Sequence, residues 1–433
     1  MRDIIVTLAV FGSLPFILRR PWIGILVWCW LGYMNPHRLA WGFSTSMPFA
    51  LIVALVTFTA IAISREKKEI IWTRETKLLL IFTGWMFIST LLAMYPELAW
   101  PQWDKVWRIM LMTFVTMLVI NSRERLYWLI VVISLSLAFY GVKGGIFVLT
   151  GGSGNNVMGP GGSFIEDRNS IALALLMTVP LLWYVRLQAR QAWQKPALLG
   201  AGALTLIAII GTNSRGALVG LLATGLFFLM KARNRFSIIL ALIPVVLVVL
   251  YVMPPEWFDR MHTIESYEED ESAMGRIYAW KNAITLANMS FFGGGFRAVM
   301  GYGGTDSHSN WFGALGELGW IGLCMFVLLH IFTWRSAAQI IRLSKPHEEL
   351  AWARDLSAMV QVSLIGYMSA GSFLGLQYFD LFYHLIVIVV ITAALVKREL
   401  PKLVKVPPRR LLPMDDLRKN PSEQLLAAAR STR

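Results

Sequence analysis

His308 is the side chain in this sequence best placed to move a proton. Imidazole exchanges protons near neutral pH, and this one stands where a glycine-rich polar loop runs into a long apolar segment, GGTDSHSNWFGALGELGWIGL, residues 303–323. Its neighbours Asp306, Ser307, Ser309 and Asn310 are polar, which argues against a core histidine. A helix N-cap role for the cluster stays open. Two arginines complement it chemically. Arg215 sits in GTNSRGAL, a hairpin of a few residues between two apolar runs. A charge that close to a membrane needs an anion or a set of carbonyls, and a guanidinium fork matches phosphate oxygens. A helix-end arginine snorkelling to water is the plainer alternative. Arg276 lies in SAMGRIYAWKN, with Ser272 as an expected N-cap, early in a helix whose Ile277, Trp280, Ile284 and Leu286 suggest a membrane-surface position. Exposed backbone N–H groups there also favour an anion. The plainer reading of Arg276 is an ordinary basic residue facing headgroups.

Arg297, Lys143 and Arg168 are further cations of the same kind, and Asp306 is a further candidate beside the histidine. The glycines Gly293–Gly295 and Gly303–Gly304 are either flexible punctuation or places where backbone approaches a bulky ligand. The other five histidines are scattered at 37, 262, 330, 347 and 384. None makes a ligand pair at metal-binding spacing, so a metal-independent reaction without a cofactor is the simpler expectation.

These residues must be held by membrane helices. Of 433 residues 56% are hydrophobic and only 15% charged, against about a quarter charged in soluble domains. Apolar runs fall at 4–18, 21–34, 47–63, 78–95, 106–120, 126–140, 169–185, 197–211, 216–230, 236–253, 309–333, 355–374 and 379–396. They are apolar all round rather than alternating, which predicts an all-α polytopic membrane protein and not a β-barrel. About twelve spans are expected, with 4–18 left open as a half-inserted or full span because Arg19-Arg20-Pro21 interrupts it. The first run has no small-residue cleavage site after it and reads as a retained segment. The two cysteines, Cys29 and Cys324, lie within apolar runs and support neither a disulfide framework nor a Cys metal site.

A net charge of +14 can signal nucleic acid, but most of the 40 Lys and Arg collect on one side of this topology, at the loops around 19–20, 64–77, 121–125, 186–196, 231–235 and 335–354 and in the tail from 397. The positive-inside rule makes that side cytoplasmic, with membrane lipids and not nucleic acid as the partner. The expected organisation is an N-terminal bundle over 1–253, an outer loop with interfacial helices over 254–308, C-terminal spans over 309–396 and a basic cytoplasmic tail over 397–433. Two long segments, 141–168 and 254–308, are left on the outer side.

The order of these parts, an NSRGA hairpin, an outer segment with GR followed by W, a GGG stretch and then HSNWF opening a glycine-patterned helix, resembles the bacterial O-antigen ligase and polymerase superfamily of the Wzy-C type. The likeness is strongest from about 200 to 335. The NPHRLAWGF segment is also similar to ligases associated with exosortase systems. The resemblance implies an integral-membrane glycosyltransferase of the GT-C-like class in the bacterial inner membrane, with its site at the periplasmic face. It implies an undecaprenyl-diphosphate-linked glycan as donor, and lipid A-core as acceptor for the ligase branch. It makes Arg215 and Arg276 the holders of the donor diphosphate and His308 the general base. An O-antigen polymerase and a protein O-oligosaccharyltransferase share this donor and chemistry. A flippase or transporter is a different class, for which charges along the midplane of several spans are expected.

Overall fold

The architecture follows from one requirement: in lipid each backbone N–H and C=O must be satisfied within the protein. Each of the thirteen apolar runs accordingly folds as an α-helix in the computed structural model, which describes residues 1–66, 68–152, 155–231, 235–252 and 271–404. These are α1 (Arg2–Arg19), α2 (Pro21–Met34), α3 (Phe49–Ile63), α4 (Arg74–Leu91), α5 (Pro96–Val119), α6 (Arg123–Leu149), α7 (Arg168–Leu187), α8 (Gln194–Ile210), α9 (Arg215–Lys231) and α10 (Arg235–Val252). Then come α11 (Glu271–Met289), the short α12 (Ala298–Gly303), α13 (Asn310–Ser344), α14 (Ala351–Ala370) and α15 (Asp380–Val404). No strand occurs among the described residues. The acidic stretch before residue 271, with His262, and the basic tail beyond 404 lie outside them.

This is an α-helical membrane protein. Four described helices, α6, α7, α13 and α15, are long and apolar enough to cross a membrane by themselves. The count of about twelve spans does not follow from helix length. Helices α2, α3 and α8 have 14, 15 and 17 residues, and at 1.5 Å per residue the shortest reaches only about 21 Å against a hydrocarbon core of roughly 30 Å.

Hydrogen bonds sort the loops into two ends. At one end the Arg2 guanidinium donates to the Leu39 carbonyl (3.2 Å), and the Asp3 carboxylate accepts from Gly42 N–H (3.1 Å) and the Ser44 hydroxyl (2.7 Å). Arg38 donates to the Gly161 carbonyl (3.0 Å) at this same end. Helix α1 therefore runs without interruption from this end to Arg20. At the far end Arg125 clasps Glu66 with both terminal nitrogens (2.7 and 2.8 Å). There too Ser336 donates to Glu75 (2.6 Å), and the Arg123 guanidinium lies 5.1 Å from the Trp352 ring centre. Helices α7 and α15 form the middle of the bundle: 78% and 83% of their apolar windows are buried.

One helix is broken. In α13 Gly319 adopts φ 70°, ψ −177°, a conformation open only to glycine. The break frees three carbonyls, and each finds a donor elsewhere. Gly294 N–H takes Gly316 (2.9 Å) and Gly295 N–H takes Glu317 (3.0 Å). The Ser89 hydroxyl also reaches Glu317 (2.8 Å), and Trp85 Nε1–H takes Leu318 (2.8 Å). The run Gly293–Gly295 is thus packed against α13 and is not flexible punctuation. Its missing side chains let a re-entrant loop lie against the α13 backbone, and any Cβ at Gly293 would collide with Glu317 and Gly319.

Gly319→Ala is expected to lower stability by about 1–3 kcal/mol from backbone strain, with added crowding because its Cβ would stand 2.7 Å from the Phe291 carbonyl oxygen. Gly84→Ala, with open space around its Cβ, serves as control. Thermal melting of detergent-solubilised protein separates the two. A second expectation concerns the far end. The hydrogen bond from Arg125 holds the Glu66 carboxyl below the usual carboxylate range. Because the folded-state pKa is depressed, this stabilisation is present above the unfolded value and is lost as pH falls through the folded one. The melting-temperature gap between wild type and Glu66→Gln is expected to persist at neutral pH and to close as pH falls below the ordinary glutamate range.

Candidate functional site

Three of the candidate cations stand at helix N-termini, and His308 stands just before one, on the end that carries the Arg38–Gly161 contact. Arg168 is the first residue of α7, behind the N-cap Asp167, whose carboxylate accepts from Asn169 and Ser170 N–H. Arg215 is the first residue of α9, behind Ser214, whose hydroxyl accepts from Ala217 N–H (3.3 Å). Arg297 is the N-cap of α12 with φ 59°, and His308 precedes Ser309, the N-cap of α13. Basic residues disfavour the positive end of a helix dipole. Gathering them at several such ends creates a surplus of positive potential that an anion would relieve.

The contacts that draw these segments together run through neighbouring residues. Asn156 Oδ1 accepts from Arg168 (3.3 Å) and from Asn213 Nδ2 (2.9 Å), tying the start of α7 to the hairpin before Arg215. Gly216, next to Arg215, faces Phe373 and Leu374 so closely that a Cβ would stand 2.9 Å from Phe373 Cβ. Asn310 N–H donates to the Gly371 carbonyl (2.7 Å), and Trp311 Nε1–H to the Ser372 hydroxyl (3.1 Å). On α11, Trp280 lies one turn beyond Arg276 and so shares its face. Its Nε1–H donates to the Ser307 carbonyl (2.9 Å), and its ring stacks on Phe312 at 4.8 Å and lies 6.5 Å from Phe373. The segments carrying Arg215, Arg276 and His308 therefore all meet the loop between α14 and α15, residues 371–379.

His308 itself is exposed, between buried Ser307 and Ser309, in a left-handed conformation with φ 44°. The N-cap role falls to Ser309, whose hydroxyl accepts from Phe312 N–H. That leaves the imidazole outside the hydrogen-bond network of the described residues. Asp306 is exposed beside it and accepts from Ser307 Oγ (3.3 Å).

Three expectations change. The chain is already helical at Glu271, so Ser272 is inside α11 and not its N-cap. That helix leaves Ile284 exposed but packs Leu286 inside the protein, so Leu286 does not face the membrane. It buries Ala279, Ala283 and Leu286 because small residues let it approach Gly316 of α13 closely. Lys143 is exposed on α6 and makes no hydrogen bond or ion pair among the described residues, so it is not drawn into this cluster.

Sequence reasoning missed Glu317. Its carboxylate is 5% exposed and accepts from Arg297 N–H (2.8 Å), the Tyr378 hydroxyl (2.7 Å) and Gln377 Nε2 (3.5 Å). One side chain thus binds the helix break, the start of α12 and the 371–379 loop. A carboxylate inside an apolar run was the available signal, and the Gly-Ser-rich GSFLG opening of the loop was another. His37, in the loop after α2, is half-buried, which pushes its imidazole below the usual range, helped by Arg38. Among the described residues no group of three or more His, Cys, Asp or Glu gathers as metal ligands would.

Residues 198–327 match a family described as O-antigen ligase (Wzy_C), a stretch containing Arg215, Arg276, Arg297, Asp306, His308 and Glu317. Residues 1–189 match a family of unknown function (DUF5935). No curated protein matches the chain.

Removing the hydroxyl that faces Glu317 tests the carboxylate clamp. Tyr378→Phe is expected to cost about 1–3 kcal/mol by leaving a buried acceptor under-satisfied. A drop in melting temperature together with faster amide exchange at 293–297 and 371–379 would be the signature. Unchanged exchange in both segments would exclude the clamp.

Proposed function

Because residues 198–327 match the O-antigen ligase family, we propose that the chain is an O-antigen ligase, transferring glycan from undecaprenyl diphosphate to lipid A-core. In this reading it is a multi-pass protein of the bacterial inner membrane with about twelve crossing helices, GT-C-like in class, and the His308 end faces the periplasm. The N-terminal bundle (1–253) and the C-terminal spans (309–396) flank the outer segment that supplies Arg276 and His308. The tail from 397 lies on the cytoplasmic side.

The observation that supports this most is the common attachment of the Arg215, Arg276 and His308 segments to the loop at 371–379. Arg215 and Arg276 hold the donor diphosphate. His308 takes the proton from an acceptor hydroxyl, whose oxygen attacks the anomeric carbon from the face opposite the diphosphate. The carbon–oxygen bond to the diphosphate breaks, undecaprenyl diphosphate leaves, and the anomeric centre inverts. Two guanidinium groups, with helix N-termini behind Arg215 and His308, offset the charge that grows on the leaving group, which makes a metal unnecessary. Arg168 and Arg297 add to the same potential, and Asp306, two residues before His308, is a further candidate beside it.

The test is transfer by purified protein from an undecaprenyl-diphosphate-linked glycan to lipid A-core with chelator present. His308→Ala is expected to lower turnover by about 10²–10⁴-fold, the contribution of a general base. Arg215→Lys keeps the charge but loses the fork, and is expected to be strongly impaired. Wild-type turnover in either variant would remove that residue from the site. Glycan joined to glycan, with none on lipid A-core, would make the enzyme a polymerase instead.

A further inference from the structure

The far end of the bundle holds a cavity of about 690 Å³ between the start of α6, the end of α7 and the turn into α8. Helix α7 runs from Arg168 at the candidate site to Leu187 beside this cavity, 20 residues or roughly 30 Å away. The two sites are therefore separate.

The lining is rich in hydrogen-bond donors. Arg123 and Arg190 contribute guanidinium groups, and Tyr127 and Tyr184 contribute hydroxyls. Three glutamines complete it, and each has its side-chain oxygen already engaged. Gln188 Oε1 accepts from Arg123 (3.5 Å), Gln191 Oε1 from Trp193 Nε1–H (2.7 Å), and Gln194 Oε1 from Gln191 N–H (3.2 Å). Their amide N–H groups remain to be offered to the cavity. Glu124 is the single carboxylate of the lining, against two guanidinium groups. Arg190 makes no ion pair or hydrogen bond among the described residues. Such a set of donors fits the several acceptor oxygens of a phosphate group.

The surroundings favour a phosphate carried on a lipid. Trp128 lines the cavity and is 44% exposed, and Trp193 at its edge is 66% exposed, beside exposed Leu187. Exposed tryptophans with a basic pocket between helix ends mark the headgroup level of a bilayer. We propose that this cavity binds the phosphate headgroup of an anionic phospholipid from the leaflet at that end of the bundle. The bound headgroup would contact α6, α7 and the turn into α8 together, and through Arg123 the ring of Trp352 on α14.

Titration with fluorescent phosphatidylglycerol in zwitterionic micelles tests this, with phosphatidylcholine and inorganic phosphate as comparisons. Saturable binding is expected for phosphatidylglycerol, weaker by about fivefold in Arg190→Gln and tighter in Glu124→Gln. Arg190 holds no contact that the fold uses, so an unchanged melting temperature would accompany its loss of binding. Equal affinity for phosphatidylcholine, or Arg190→Gln binding as wild type, overturns the proposal. Displacement by inorganic phosphate at equal concentration overturns the lipid assignment and gives the cavity to a free anion.

Discussion

The break in α13 is the constraint on which the His308 end of the molecule depends. A helix that stops hydrogen-bonding to itself inside a membrane protein leaves carbonyls that lipid cannot satisfy. Here the donors come from a glycine loop, a serine and a tryptophan on α4. Meeting that demand draws residues 291–296 against α13 and fixes where α12 begins. The same step places the Glu317 carboxylate under Arg297 and Tyr378. The stretch that opens on His308 is thus anchored a few turns below by backbone chemistry, and above by Trp280 and the 371–379 loop.

The arrangement explains how a loop-borne site can be precise without a soluble domain to hold it. Arg168, Arg215 and His308 each adjoin a capped helix start, and the caps themselves, Asp167, Ser214 and Ser309, use side-chain oxygens to fix the first turn. Helix starts are stiffer than free loops and present unpaired N–H groups in one direction. The bundle core then relates one start to another through α7 and α15, which are buried on most sides.

Much of this was legible in the sequence. Apolar runs bounded by Arg, Gly and Pro gave the helices closely, because a chain in lipid has few other ways to satisfy its backbone. His308 and Arg215 stood out because polar, small-residue segments such as DSHSN and TNSRG interrupt apolar ones. What could not be read was tertiary. Glu317 looks like one acidic residue in a helix until Tyr378, 61 positions later, is seen beside it. The ELGW sequence is compatible with an unbroken helix, so the left-handed Gly319 was invisible. Ser272 made a good N-cap by type, yet the helix had already begun. The number of membrane crossings does not follow from helix length, since several runs are helical but shorter than a bilayer is thick.

The left-handed backbone at His308 carries an implication for how this position is to be engineered. An imidazole there makes no packing contribution that the fold requires, and a side chain of this size at φ 44° is held against its own preference, at a cost of order 1–3 kcal/mol. Asparagine or glycine would suit the backbone better. A library selected only for thermal stability should therefore drift away from histidine at 308, whereas one selected for turnover should return to it. Fold and the proposed base role make opposite demands at this one residue, and a comparison of the two selections would measure the difference directly.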